Sequence, residues 1–197
     1  ERRYRELYDN LRDGFAVVNL KGKITQWNRA FQEMLGYSGK EIRKLSYGYI
    51  TPERWRDPEA KIVEEQVVTR GYSDLYEKEY VRKDGSLFPV SLRTYLIRDE
   101  QGKPAGMWAF VRDISERKKA VEALRQSEEK YRTLFEDSRD AIAITDRDGT
   151  FRDVNRAMLD LFGYRKEQLT MMKFQDLYED PTEVARFQHE IEKKGSV

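Results

Sequence analysis

The chain has 197 residues, with 37 Lys and Arg against 36 Asp and Glu, a net charge of +1, and no cysteine. That balance leaves no basic excess to neutralise a run of phosphates, so nucleic acid is not expected as a partner. Without cysteine there is no disulfide framework, no thiolate metal site and no cysteine redox chemistry, which suits a reducing cytoplasmic compartment.

Residues 15–20 and 24–28 are rich in β-formers and are joined by Lys21-Gly22-Lys23, which predicts a tight hairpin. Residues 29–35 then carry Ala30, Phe31, Met34 and Leu35 at helical spacing and stop at Gly36, a usual residue just past a helix end. A Pro-punctuated stretch, 51–58, precedes a second helix expected over 59–70, with Ile62, Val63 and Val67 on one side and Gly71 at its end. Three strands come next, at 74–82, 87–98 and 105–113, separated by Asp84-Gly85 and by residues 99–102. Helices between blocks of antiparallel strands predict an α+β domain, one sheet covered on one face by helices, with a cavity between the two layers.

The last strand runs without Gly or Pro into a long charged helix. Asp113 and Glu116 stand three apart at that point, the spacing of a capping box. Beyond it, Ile114, Arg117, Val121, Leu124, Glu128, Tyr131 and Phe135 follow a heptad-like stripe. A solvated connector and a parallel dimeric lever both fit such a stripe, and the lever is favoured because the helix joins two copies of one repeated unit.

Residues 4–37 return as residues 131–164 at a constant offset of 127 positions, without a gap. The match keeps Tyr-Arg-x-Leu, Arg-Asp, a turn glycine, Asn-Arg-Ala and Gly-Tyr, so the chain holds a duplicated unit. The second copy stops before its last three strands. A two-stranded sheet with an open edge is marginal in water, so this half is expected to be loosely folded or to borrow an edge from another protomer.

These residues resemble the PAS sensor domain family. The resemblance rests on Asn28-Arg29-Ala30 with Gly36-Tyr37, on Arg82-Lys83-Asp84-Gly85, on the exit Asp113-Ile114-Ser115-Glu116-Arg117-Lys118, and on the second Asn155-Arg156-Ala157 with Gly163-Tyr164. Ser115 stands where the family usually has Thr. The resemblance implies a PAS fold of five antiparallel strands over 1–114 with an N-terminal flanking helix, a connector helix over 115–138 and the N-terminal part of a second PAS domain over 139–197. It also implies that the cavity's occupancy acts on the sheet and passes through a junction of Asp113, Ile114, Ser115 and Glu116 into the connector.

Strand parity and helix face select Phe15, Val17, Ile24, Trp27, Ile62, Val63, Gln66, Glu79, Met107 and Ala109 as pocket candidates, most of them core in the first place. Gln66 and Glu79 would need a polar partner there. Among the family's cofactors, cysteine-adduct flavin fails for want of a cysteine. Haem fails for want of a histidine in the first copy, since the single histidine, His189, belongs to the second. The expected occupant is a small organic ligand, or none.

His189-Glu190-Ile191 resembles a histidine-kinase phospho-acceptor box only superficially, with Lys193 and Lys194 where a proline is usual. No Gly-rich nucleotide motif, cyclase signature, metal-ligand cluster or nucleophile–base pair is present, so the segment is not expected to be an enzyme. Its apolar runs, such as 15–18 and 107–111, fall far short of the roughly 20 residues of a membrane span. The expectation is a cytoplasmic sensory piece of a longer histidine kinase or diguanylate cyclase, with any membrane anchor elsewhere in the parent. It would dimerise through flanking and connector helices and feed a downstream output domain. The rival is a ligand-free dimerisation module.

Overall fold

The computed structural model describes residues 12–180 and 184. The chain divides into two units, Glu1–Val121 and Glu122–Val197. The expected N-terminal flanking helix and His189 lie outside the described residues.

In the first unit, strands β1 (Gly14–Asn19) and β2 (Ile24–Trp27) form the hairpin. Gly22 turns it with φ at 75°, a left-handed conformation that residues with a Cβ rarely enter. Helix α1 (Arg29–Leu35) opens on Asn28, whose Oδ1 accepts the Phe31 amide at 3.0 Å, and closes on Gly36. Two single turns, α2 (Gly39–Ile42) and α3 (Tyr47–Ile50), lead to α4 (Glu53–Ile62), which continues as a π-helical segment, Val63–Val68.

Strands β3 (Tyr76–Val81), β4 (Leu87–Arg98) and β5 (Pro104–Asp113) complete a five-stranded antiparallel sheet in the order β2-β1-β5-β4-β3. One face carries Ala16, Tyr80, Val90, Leu92 and Val111, packed against Phe31, Leu35, Ile42 and Ile50. Burying each of the larger of these side chains contributes on the order of 1.5–3 kcal/mol. The other face holds an aromatic group in which Tyr95 stacks on Trp108 at 4.1 Å and Phe15 and Phe110 meet Trp108 at 5.6 and 5.3 Å.

The helix expected over 59–70 is corrected by the structure. It starts at Glu53 and carries Pro58 in its interior. An internal proline removes a hydrogen bond and costs roughly 3 kcal/mol, which is why the sequence reads as a break there. Glu59, the next residue, is paired inside the domain, and that tertiary contact keeps the helix going.

Helix α5 (Ser115–Glu136) follows β5 directly. In the second unit β6 (Ala143–Thr145) and β7 (Phe151–Val154) pair as a two-stranded sheet, followed by α6 (Arg156–Phe162), α7 (Lys166–Leu169) and a 3₁₀ turn at Phe174–Leu177. Phe151, Val154, Met158 and Leu169 form its small core.

Candidate functional site

Between the sheet and the helices of the first unit lies a cavity of about 40 Å³. Most of its wall is apolar, with Ala16, Val18, Phe31, Ile50 and Leu92 prominent, and Tyr47, Glu59 and Thr94 form the polar part. Parity explains the sheet side of the wall. In β3 the residues Tyr76, Lys78 and Tyr80 alternate inward, and in β4 Val90, Leu92 and Thr94 do the same.

Lys78 and Glu59 are the unusual members. Their side chains are 0% and 8% exposed, and Lys78 Nζ donates to Glu59 Oε1 and, at 3.0 Å, to Thr51 Oγ1. Tyr76 Oη donates to the same Glu59 oxygen at 3.0 Å and lies 3.2 Å from Thr94 Oγ1. A carboxylate only accepts, so the Tyr76 proton goes to Glu59 and the Thr94 hydroxyl donates to Tyr76. The second oxygen, Glu59 Oε2, is buried and has no hydrogen-bond partner among the described residues. Leaving a buried carboxylate oxygen unsatisfied costs on the order of 1–3 kcal/mol or more, so this acceptor, on a residue that lines the cavity, calls for a donor.

Burial pushes the Lys78 ammonium down from its ordinary pKa, against the opposing pull of Glu59. Burial first, and the Glu59 charge second, push the Tyr47, Tyr76 and Tyr80 phenols up, so all three stay protonated and available as donors. The Lys78 ammonium also sits 4.6 Å from the Tyr80 ring centre, which spreads its charge over an aromatic face.

Of the pocket candidates, Ile24, Val63, Met107 and Ala109 line the cavity. The others stand elsewhere. Phe15 and Val17 are one residue out of phase, and Ala16 and Val18 take their places. Both faces of β1 are apolar, so alternation carries no polarity signal to set the phase. Trp27 packs at the edge of the core, its Nε1 donating to Gln32 at 3.2 Å. Ile62 is half-buried outside the wall, one position before Val63. Gln66 accepts from the Asp74 amide at 2.7 Å and from Arg70 at 3.0 Å, tying the helix end to the following loop. Glu79 points away from Lys78 and Tyr80 and is held by Trp55 Nε1 at 2.9 Å and by Arg54.

Glu59, Lys78, Tyr76 and Thr94 are not picked out by the sequence reading, although one signal is present. Tyr76, Lys78 and Tyr80 share one strand face, and a lysine between two tyrosines on an inward parity marks a buried charge that must be paired.

At the strand exit, Asp113 Oδ1 accepts the Ser115 amide at 2.8 Å and Oδ2 accepts Arg82 Nη2 at 2.8 Å. Ile114 between them is buried, and its amide donates to Pro89 O at 3.1 Å. The expected reach of Glu116 back to the strand end is corrected: Glu116 is exposed and makes no side-chain hydrogen bond among the described residues. Arg82 braces the strand end in a different way, by donating to the Asp113 carboxylate, and it also donates to Met34 O and lies over the Phe88 ring at 3.7 Å. Partial burial raises the Asp113 carboxyl, but the hydrogen bonds from Ser115 and Arg82 outweigh it and hold the group below its ordinary value.

The two copies repeat one device. Asn28 Oδ1 accepts the Phe15 amide at 2.8 Å and Nδ2 donates to Asp13 O at 3.0 Å; Asn155 binds the Ile142 amide and Asp140 O at 2.8 Å each. Each asparagine therefore caps a helix and fastens its own hairpin.

No group of residues able to hold a metal ion and no helix long and apolar enough to cross a membrane occurs among the described residues. Models of the PAS domain match residues 12–116 and 129–193. The sensor histidine kinase TmoS of Ectopseudomonas mendocina is 27% identical over 126 residues, 64% of this chain and 13% of that protein. Sporulation kinase C of Bacillus subtilis is 30% identical over 127 residues, 63% of this chain and 28% of that protein. The chain thus spans well under a third of either relative. Among solved structures, the PAS domain of a Colwellia psychrerythraea protein aligns with a TM-score of 0.55 at 21% identity, covering 58% of this chain and 97% of that one, a likeness of fold.

Proposed function

The chain belongs to the PAS domain family, with one complete copy and one partial copy, and from that premise we propose that it is a cytoplasmic sensory and relay segment of a larger signalling protein. The first copy senses through its cavity, and the Asp113-Ile114-Ser115 junction, tied by Arg82, passes the change into α5. The observation that carries this reading is a buried Glu59 oxygen without a protein partner among the described residues, on a mostly apolar cavity, which suits a small organic ligand.

The contacts of Arg82 support the relay. Arg82 joins the end of β3, the Met34 carbonyl in α1 and the last residue of β5. A ligand between the helices and the sheet bears on both sides of that tie, and it shifts the junction only by binding its two arrangements unequally. Catalysis belongs to an output domain of the histidine-kinase or diguanylate-cyclase type outside this segment.

Dimerisation through α5 is part of the proposal. Val121, Leu124 and Tyr131 are exposed by 62%, 61% and 49% along the heptad stripe, an apolar seam that a second copy would cover. Native mass spectrometry of the gently purified chain tests the sensing reading. A small-molecule mass released on denaturation supports it, and a clean apo dimer transfers the weight to dimerisation alone.

A further inference from the structure

Resting on the reading of the cavity as a ligand site, we infer that its occupant is a small uncharged molecule with one hydrogen-bond donor, a short-chain alcohol or amide, which donates to Glu59 Oε2 and lays its apolar end against Leu92 and Ala109.

Charge decides the first part. Lys78 and Glu59 form a buried pair that is neutral as a whole. A cationic ligand at Glu59 Oε2 would add a second buried positive charge beside Lys78, and an anion would face the carboxylate oxygen itself. Either leaves an uncompensated charge in a low-dielectric site, the situation that buried groups avoid most strongly. An uncharged ligand carries no such penalty.

Hydrogen bonding decides the second. Glu59 Oε1 is occupied by Lys78 and Tyr76, whereas Oε2 is buried without a partner on a side chain that is 92% buried and lines the cavity. A carboxylate oxygen can only accept, so the complementary group on the ligand is an O–H or N–H. A molecule that brings only a carbonyl leaves that oxygen unsatisfied and places a second acceptor against it.

Size decides the third. The free volume is about 40 Å³, and a cavity needs roughly 10–15 Å³ of occupied space to hold one water. Flavins and haem are far larger than this. A molecule of a few non-hydrogen atoms fits, and apolar surface over most of the wall favours one with a short hydrocarbon end.

The test uses methyl NMR of the full chain, following Ile24, Val63, Leu92 and Val111, titrated with 1-propanol, acetone and propylammonium, which have the same number of non-hydrogen atoms. Saturable shifts of these methyls with 1-propanol are expected, with acetone and propylammonium at least ~10-fold weaker, the loss that accompanies an unmade bond to a buried charged group. In Glu59→Gln, Oε1 stays with Lys78 and the amide Nε2 faces the cavity, so the preference turns toward acetone. Equal affinity for 1-propanol and acetone in the unaltered chain overturns the donor rule while the cavity still stands as a ligand site. Tighter binding of propylammonium overturns the charge argument in the same way. Methyls that respond to none of the three probes overturn this inference and the sensing reading with it, leaving at most water on Glu59.

Discussion

Arg82 and Asp113 meet at 2.8 Å where the first sheet ends, and the same carboxylate holds the amide of Ser115, the first residue of α5. One side chain thus closes the sheet and starts the helix, which is how the chain passes from strand to helix without a turn residue.

Asp113→Ala removes both bonds and is expected to cost the first unit about 1 kcal/mol, within the range for a lost helix cap and a partly exposed ion pair. In a chimera joined to a histidine kinase, it should leave basal autophosphorylation but abolish its response to a cavity ligand. A fully retained response would remove Asp113 from the relay. Because the folded pKa lies below the unfolded one, the contribution is present above about pH 4 and disappears as the pH falls through the folded value. Thermal melts of wild type and variant should therefore converge in acid.

Lys78→Met leaves Glu59 buried without its cation, and a loss of about 3–5 kcal/mol is expected in chemical denaturation. The double variant Lys78→Met/Glu59→Leu should be clearly more stable than the sum of the two single losses. Strict additivity in this cycle would show that the two residues are not coupled.

Gly106 lies opposite Asn19 in the pairing of β1 with β5, and a Cβ there would come 2.4 Å from the Val18 carbonyl oxygen, a backbone atom with no room to yield. Gly106→Ala is expected to cost about 1–3 kcal/mol and to speed amide exchange in β1. An unchanged melting temperature would contradict the close approach.

Among the described residues the second unit has two strands and a small core, against five strands and a larger core in the first. Amides of β6 and β7 should exchange at least ~10-fold faster than those of β4 and β5, since isolated two-stranded sheets are marginal in water. Asn155→Ala, which removes the cap of α6 and the tie to its hairpin, should widen the gap. Equal protection in the two units would run against this.

Several elements can be read directly from the chain. Helix α1 and strand β4 have the boundaries expected from pattern alone, because Gly36, Asp84-Gly85 and the 99–102 turn punctuate them with local chemistry. The α4 start is hidden because Pro58 signals a break that only a tertiary pairing overrides. Most of the pocket wall escapes the pattern, in part for a related reason: where both faces of a strand are apolar, as in β1, the alternation that sets the phase is silent.

The sequence by itself determined the family, the duplication, the order of the strands and the absence of thiol chemistry, because turns, caps and periodicities are properties of neighbours along the chain. Only the tertiary structure decided which residues face the cavity, that Glu59 and Lys78 meet from positions 19 residues apart, and that Arg82 rather than Glu116 completes the junction. Burial and pairing between distant segments set those outcomes, and neither is written in any local stretch of the chain.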